Sequence, residues 1–248
     1  MKEFKTEGLK EEIAERFVNF LKDVLAKYSD NLHSVHLIGS ALTPDYIPGV
    51  SDINSIFVLK EMDLGFLKLL APLGKKYKKT GIAAPLIMTP RYIENSLDVF
   101  PIEFFDFRLI HHTIVGEDIL VDLKIEKKYL RLQAERELKS KLIWLRQGYL
   151  STMGDKKLLV QNLINSITGF FPLFRAIIYL LGQAPPVERH QVVVKLQELT
   201  NIKTSIYEKI LLIKREQAGP GKNELDRAFE DYYRATEKIG RLINDLEI

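Results

Sequence analysis

The segment from Leu37 to Leu59, LIGSALTPDYIPGVSDINSIFVL, is where residue type and spacing could do chemistry. An apolar run ends in Gly39-Ser40. After an interval holding Pro44, Pro48 and Gly49, Ser51-Asp52-Ile53-Asn54 opens a second apolar run. A glycine lets backbone approach a ligand closely. Backbone N–H groups and the Ser40 hydroxyl at such a turn can hold phosphate oxygens. Asp52 and Asn54 are two residues apart, so on extended chain they face the same way. Further on, Pro101-Ile102-Glu103-Phe104 reads as part of another strand, from which Glu103 could supply a third oxygen ligand. Hard oxygen donors of this kind suit Mg²⁺, which is held by a few carboxylates together with substrate phosphates.

The elements that would position these residues follow from two periodicities. Residues 8–29 carry Ile13, Phe17, Phe20, Leu21, Val24 and Leu25 at the i, i+3, i+4 spacing of an amphipathic helix. Residues 32–38 read as a strand, and Ile53 with Ile56–Leu59 as a second. Asp63 is placed to cap a helix through about Tyr77. Residues 82–88 read as a third strand, with Pro85 favouring an edge. Thr89-Pro90 reads as a cap and first-turn proline of a short helix. Residues 101–108, PIEFFDFR, read as a fourth strand. The first 120 residues are thus expected to form a small mixed-sheet α/β domain.

From about residue 122 strand signals vanish. Helices are expected near 124–150, 155–182, 188–199, 202–216 and 222–246, with breaks at Gly154-Asp155, Gln183–Pro186 and Ala218–Gly221. The expected architecture is α+β: a sheet domain over 1–120, then an all-α antiparallel helical bundle over 121–248. Leu163–Gly182 is about as long as a membrane span. It contains Asn165, Ser166, Thr168, Pro172 and Arg175, however, and reads better as a buried bundle helix.

Composition sets outer limits. With 248 residues, 46% hydrophobic and 28% charged, the chain is neither fibrous nor disordered. It has no cysteine, which excludes disulfides, thiolate nucleophiles and Cys-based zinc sites and suits a reducing, cytoplasmic setting. No secretory leader is visible at the N-terminus. The net charge of +3 is unevenly spread: residues 1–120 carry 14 Lys+Arg against 17 Asp+Glu, and residues 121–248 carry 22 against 16. An acidic half beside a basic half suits metal carboxylates facing phosphate-binding cations, as does the plainer reading that the helices are rich in lysine.

The order strand, Gly39-Ser40, loop, Ser51-Asp52-x-Asn54 on a strand, then Glu103 resembles the nucleotidyltransferase superfamily that includes DNA polymerase β. The match is closest to the aminoglycoside nucleotidyltransferase type with a C-terminal helical bundle. Gly116-Glu117-Asp118-Ile119-Leu120 resembles the turn that often follows the third carboxylate strand there. The resemblance implies transfer of a nucleoside monophosphate from a nucleoside triphosphate to a hydroxyl acceptor, with Mg²⁺ as cofactor. It would give Gly39, Ser40 and Ser51 to the nucleotide, Asp52, Asn54 and Glu103 to metal, and Asp52 and Glu103 to catalysis. Asp106 is the alternative third carboxylate. The resemblance names no acceptor. The modest net charge, with no long basic stripe, does not favour nucleic acid, no membrane partner is expected, and a homodimer is left open.

Asn54 departs from that pattern, in which a carboxylate is expected. An amide offers one neutral carbonyl oxygen and removes a full negative charge from the metal site. Two readings stay open: a weak or one-metal enzyme, or a nucleotide-binding or protein-interaction member of the fold that has lost transfer. Lys75-Lys76-Tyr77-Lys78-Lys79 could touch phosphates, but also complements a helix C-terminus. His111-His112 reads as a surface or packing pair, and Phe170, Phe171, Phe174 and Tyr179 as bundle core.

Overall fold

The computed structural model describes residues 4–216 and 222–248. They divide into two compact units. One holds the chain up to Leu97 together with Phe104–Lys124. The other holds Asp98–Glu103 and Ile125–Ile248.

The first unit is a four-stranded mixed sheet: β1 (Leu32–Ile38), β2 (Asn54–Leu59), β3 (Leu86–Met88) and β4 (His111–Val115), in the order β3-β2-β1-β4. β1 runs antiparallel to both β2 and β4, and β3 is a parallel edge strand beside β2. Helix α1 (Glu11–Leu25) buries Ile13, Phe17, Phe20, Leu21 and Val24, the stripe its spacing requires. Helix α2 (Leu64–Tyr77) starts where Asp63 Oδ1 accepts from the Gly65 N–H at 2.7 Å. Val35, Leu37, Ile53, Phe57 and Leu59 join these helices in one core cluster. By strand alternation Ser34, His36, Ile38, Asn54, Ile56 and Val58 face the other side. Thr89 caps the short α3 (Pro90–Glu94), its hydroxyl accepting from the Tyr92 N–H at 3.1 Å.

One expected strand is a helix. Residues 101–108 lie in α4 (Pro101–Leu109), and the fourth strand begins only at His111. Aromatic residues favour strands, and that preference suggested the strand. Pro101 opening the segment, and buried Ile102, Phe104 and Phe105 with half-buried Glu103 and Asp106, are instead the marks of a helix start and a helical stripe. Glu103 and Asp106, three apart on a helix, are neighbours on one face and not on opposite faces of a strand. His111 and His112 belong to β4 and do not follow it.

The second unit is helical from Lys127 onward among the described residues: α5 (Lys127–Ser151), α6 (Lys156–Ile167), α7 (Phe170–Leu180), α8 (Arg189–Thr200), α9 (Ser205–Glu216) and α10 (Lys222–Asn244). The break expected at Ala218–Gly221 falls outside the described residues. The single helix expected over 155–182 is two, meeting at 45°. Gly169 stands at the break, and Pro172 sits in the first turn of α7, where its missing N–H costs no hydrogen bond. Among the described residues no single helix is long and apolar enough to cross a membrane. Around this corner Phe170 packs on Phe174, Tyr207 and Tyr232, with ring centroids 5.3–5.4 Å apart. Both tyrosine hydroxyls are satisfied, Tyr207 by Thr236 and Tyr232 by Ser166, each at 2.9 Å.

Phe170 is fully buried at the centre of this aromatic cluster. Phe170→Ala is expected to destabilise the protein by about 3–5 kcal/mol, and Phe170→Leu by clearly less, because the leucine leaves a smaller cavity. Urea denaturation followed by far-ultraviolet circular dichroism checks this. Equal losses for the two variants would contradict the packing role.

Candidate functional site at the end of the sheet

β1 delivers Gly39-Ser40, and β2 begins at Asn54. Register holds them together, because Ile38 is the cross-strand partner of Asn54. Gly39 takes φ +75°, the left-handed region that favours glycine, and a side chain there would meet nothing within 4 Å. The turn therefore opens onto space. Its N–H donates to Ile110 O at 3.3 Å, which ties the turn to the residue before β4. Ser40 is half-buried in a short 3-10 turn over Gly39–Leu42. Its backbone oxygen accepts from the Thr43 N–H at 3.1 Å and the Thr43 hydroxyl at 3.2 Å.

Ser51 closes the intervening loop. Its N–H donates to Ile47 O at 2.8 Å, and its hydroxyl accepts from the Ile47 N–H at 3.1 Å. Ile53 is fully buried in the core, so Asp52 and Asn54 on either side of it point away from that core. Asp52 is exposed and Asn54 half-buried. The Ile53 N–H donates to Gly81 O at 2.7 Å, and the Ala83 N–H to Ile53 O at 3.1 Å. The chain entering β3 thus lies directly beside the Asp52 backbone.

Glu103 belongs to the other compact unit. It stands in the first turn of α4, and its Oε2 accepts from Gln133 Nε2 at 2.8 Å. Gln133 Oε1 in turn accepts from the Ile102 N–H at 2.8 Å. Gln133 therefore satisfies one of the orphan donors at the start of α4 and holds the Glu103 carboxylate beside it. The structure brings Gly39, Ser40, Ser51, Asp52 and Asn54 to one end of the sheet and places Glu103 on this helix. β3, the strand beside β2, carries Leu86, Ile87 and Met88 and no carboxylate.

A network on the face of the sheet away from the core was not legible in the sequence. His36 is fully buried between Ser34 Oγ and Thr113 Oγ1, each 2.8 Å from a ring nitrogen. Burial pushes its pKa down to about 4, against the opposing field of Asp118. His111 Nε2 lies 3.0 Å from Asp118 Oδ1, and its Nδ1 lies 3.1 Å from Arg108 O. Burial raises the Asp118 pKa, but bonds from His111, the Leu120 N–H and Thr113 outweigh it and hold the carboxyl below its usual value. Because the carboxylate can only accept, Thr113 donates to it. His36 Nδ1–H then donates to Thr113, and Ser34 donates to His36 Nε2. The one trace of it in the sequence is Ser34 and His36, two polar residues at alternate positions of β1.

His111, Ile38 and Asn54 form one row across β4, β1 and β2. Two strand spacings put the outer Cα atoms roughly 10 Å apart. Among the described residues no group of three or more His, Asp or Glu side chains is placed to hold a metal ion. Asp52 and Asn54 offer one carboxylate and one amide. That donor set does not fit a clamp for two divalent ions, which needs several bridging carboxylates.

No family model matches the chain, and no curated protein matches it. Among solved structures it is similar to the spectinomycin adenyltransferase AAD(9) of Enterococcus faecialis, determined with ATP and spectinomycin. The two share a TM-score of 0.53 and 14% identity over 90% of this chain and 98% of that one. At that identity the likeness is one of fold, and the chain has the α+β fold of that nucleotidyltransferase.

The buried His36 makes stability pH-dependent. Its pKa lies below the ordinary 6.5, so the unfolded chain binds the extra proton between pH 6.5 and 4. The stabilisation is complete above pH 6.5 and is lost as pH falls towards 4, by at most about 3 kcal/mol. His36→Gln, which can still bond to Ser34 and Thr113, is expected to flatten this part of the curve. Thermal melts from pH 7 to 4 measure it. Identical pH dependence in the two proteins would show that the loss arises elsewhere.

Proposed function

We propose that the protein binds a nucleoside triphosphate at the end of the sheet formed by Gly39, Ser40, Asp52 and Asn54, and that transfer of the nucleoside monophosphate is impaired. The observation that carries this is the Ile38–Asn54 pairing, which sets a glycine-opened turn against the Asp52–Asn54 pair. The likeness of fold to an adenyltransferase solved with ATP supports the nucleotide. The single carboxylate at Asp52, and Glu103 engaged by Gln133, support the loss of transfer.

In this reading the Gly39-Ser40 backbone lies against the phosphates, since no Cβ intervenes. Ser51 shapes the loop through its two bonds to Ile47, and its hydroxyl, which accepts there, keeps its own O–H to donate to a phosphate oxygen. Mg²⁺, where it accompanies the nucleotide, would shield phosphate charge. Asp52 is the protein carboxylate available to it, with Asn54 contributing a carbonyl oxygen. A second reading, an active transferase using a hydroxyl acceptor, draws on the extent of the likeness, which spans nearly all of both chains.

Isothermal titration with ATP and Mg²⁺, alongside pyrophosphate release over a panel of hydroxyl acceptors, separates the readings. The natural protein is expected to bind ATP and to release no pyrophosphate above background. Asn54→Asp should tighten Mg²⁺–ATP by several-fold at most. A unit charge pair at 4 Å near a surface is worth on the order of 4 kcal/mol, but the new carboxylate also repels Asp52 and the triphosphate. Robust release by the natural protein would establish the transferase. Absence of ATP binding in both proteins would end the nucleotide reading.

A further inference from the structure

The first 120 residues carry net negative charge, yet the ligand proposed for them is a polyanion. A run of positive charge leads into Gly81, whose backbone pairs with Ile53 next to Asp52. The Gly81 carbonyl accepts from the Ile53 N–H, and the Ser51 carbonyl lies 3.8 Å from where a Gly81 Cβ would stand. The residues immediately before Gly81 are Lys75-Lys76-Tyr77-Lys78-Lys79-Thr80. Within this run, Tyr77 is buried and donates its hydroxyl to Asp23 Oδ2 at 2.7 Å, and Lys76 pairs with the same oxygen at 2.7 Å. These two anchor the end of α2 on α1. Lys75, Lys78 and Lys79 are exposed, and among the described residues none has an acidic partner.

The arrangement is more than a complement to the helix dipole. Lys76 and Lys75 already occupy the last turn of α2, where a cation is favourable. Lys78 and Lys79 lie beyond it, in the 3-10 turn that leads to Gly81. Lys75 precedes them by three and four residues, and all three side chains are exposed within a five-residue stretch.

We propose that Lys78 and Lys79, assisted by Lys75, are phosphate-binding residues of the candidate site, and that fixed ammonium charge there does the work of divalent ions the donor set cannot hold. The inference rests on the nucleotide reading above and deepens it: the ligand is a triphosphate bound with little dependence on metal. The backbone that carries them reaches the sheet end at Gly81, next to the start of β2, whose other neighbour is β1 with Gly39-Ser40 beyond it.

The test is titration of the full chain with ATP in Mg²⁺ and in EDTA, with inorganic tripolyphosphate as competitor. The natural protein is expected to hold ATP within about threefold of the same affinity in both buffers, and tripolyphosphate to compete. Lys78→Ala/Lys79→Ala should weaken ATP by about tenfold or more in both and lower the salt dependence. These side chains are exposed, and circular dichroism confirms that the variant is folded. Lys156→Ala/Lys157→Ala, which removes two exposed lysines from the other unit, should leave the affinity unchanged. Binding abolished by EDTA in the natural protein overturns the proposal and leaves the nucleotide reading standing. So does a Lys78/Lys79 variant that binds like the natural protein. Binding of a single-stranded RNA oligonucleotide but not of ATP overturns both.

Discussion

The register of β1 is the constraint on which the candidate site depends. β1 lies inside the sheet with a partner on each side and is buried on both faces. Val35 and Leu37 are committed to the core with α1 and α2, and Ser34 and His36 to a polar network on the reverse face. A slip of one residue would exchange the two sets, driving a histidine into an apolar core and valine into a polar clamp. Register is therefore fixed. With it are fixed the pairing of Ile38 with Asn54 and His111, and the position of Gly39 beyond them.

The buried histidine shows how such a constraint is held. A neutral imidazole in the sheet is tolerated because both of its nitrogens are satisfied by hydroxyls, one on its own strand and one on β4. Thr113 passes the connection to Asp118, which folds back after the turn at Gly116. That glycine has φ +82°, and a Cβ there would stand 2.2 Å from His33 O. No other residue fits so close to β1. The turn, the carboxylate and the two histidines thus form one device that clamps β4 to β1, and β4 is preceded by the carbonyl that receives the Gly39 N–H.

The donor set at the end of the sheet differs from the carboxylate clamp that two divalent ions need. One carboxylate, Asp52, and one amide, Asn54, stand where β2 begins, across from the turn at Gly39. An amide in place of a carboxylate removes one negative charge and weakens the hold on a divalent ion. Glu103 satisfies a helix start together with Gln133 instead. The fold is that of a nucleotidyltransferase, and fold alone leaves the chemistry to such local differences.

By itself the sequence determined the elements whose patterns are local. Residues 32–38 read as a strand ending in an apolar run and form one. Asp63 and Thr89 cap the helices they were expected to cap, because a cap needs only a side chain within three residues of its own backbone. The long apolar stripes of α1 and the helical unit are likewise written in their spacing. Tertiary structure decided the segments where two local preferences compete. Residues 101–109 have strand-favouring aromatics and a helix-starting proline, and the distant Gln133, which satisfies their first turn, goes with the helix. Residues 155–182 read as one helix, and the aromatic cluster around Phe170 accommodates a 45° corner. The clamp of His36, Thr113 and Asp118 joins residues 77 to 82 positions apart. Such a contact has no periodicity to announce it, because only the folded sheet brings its members within hydrogen-bonding reach.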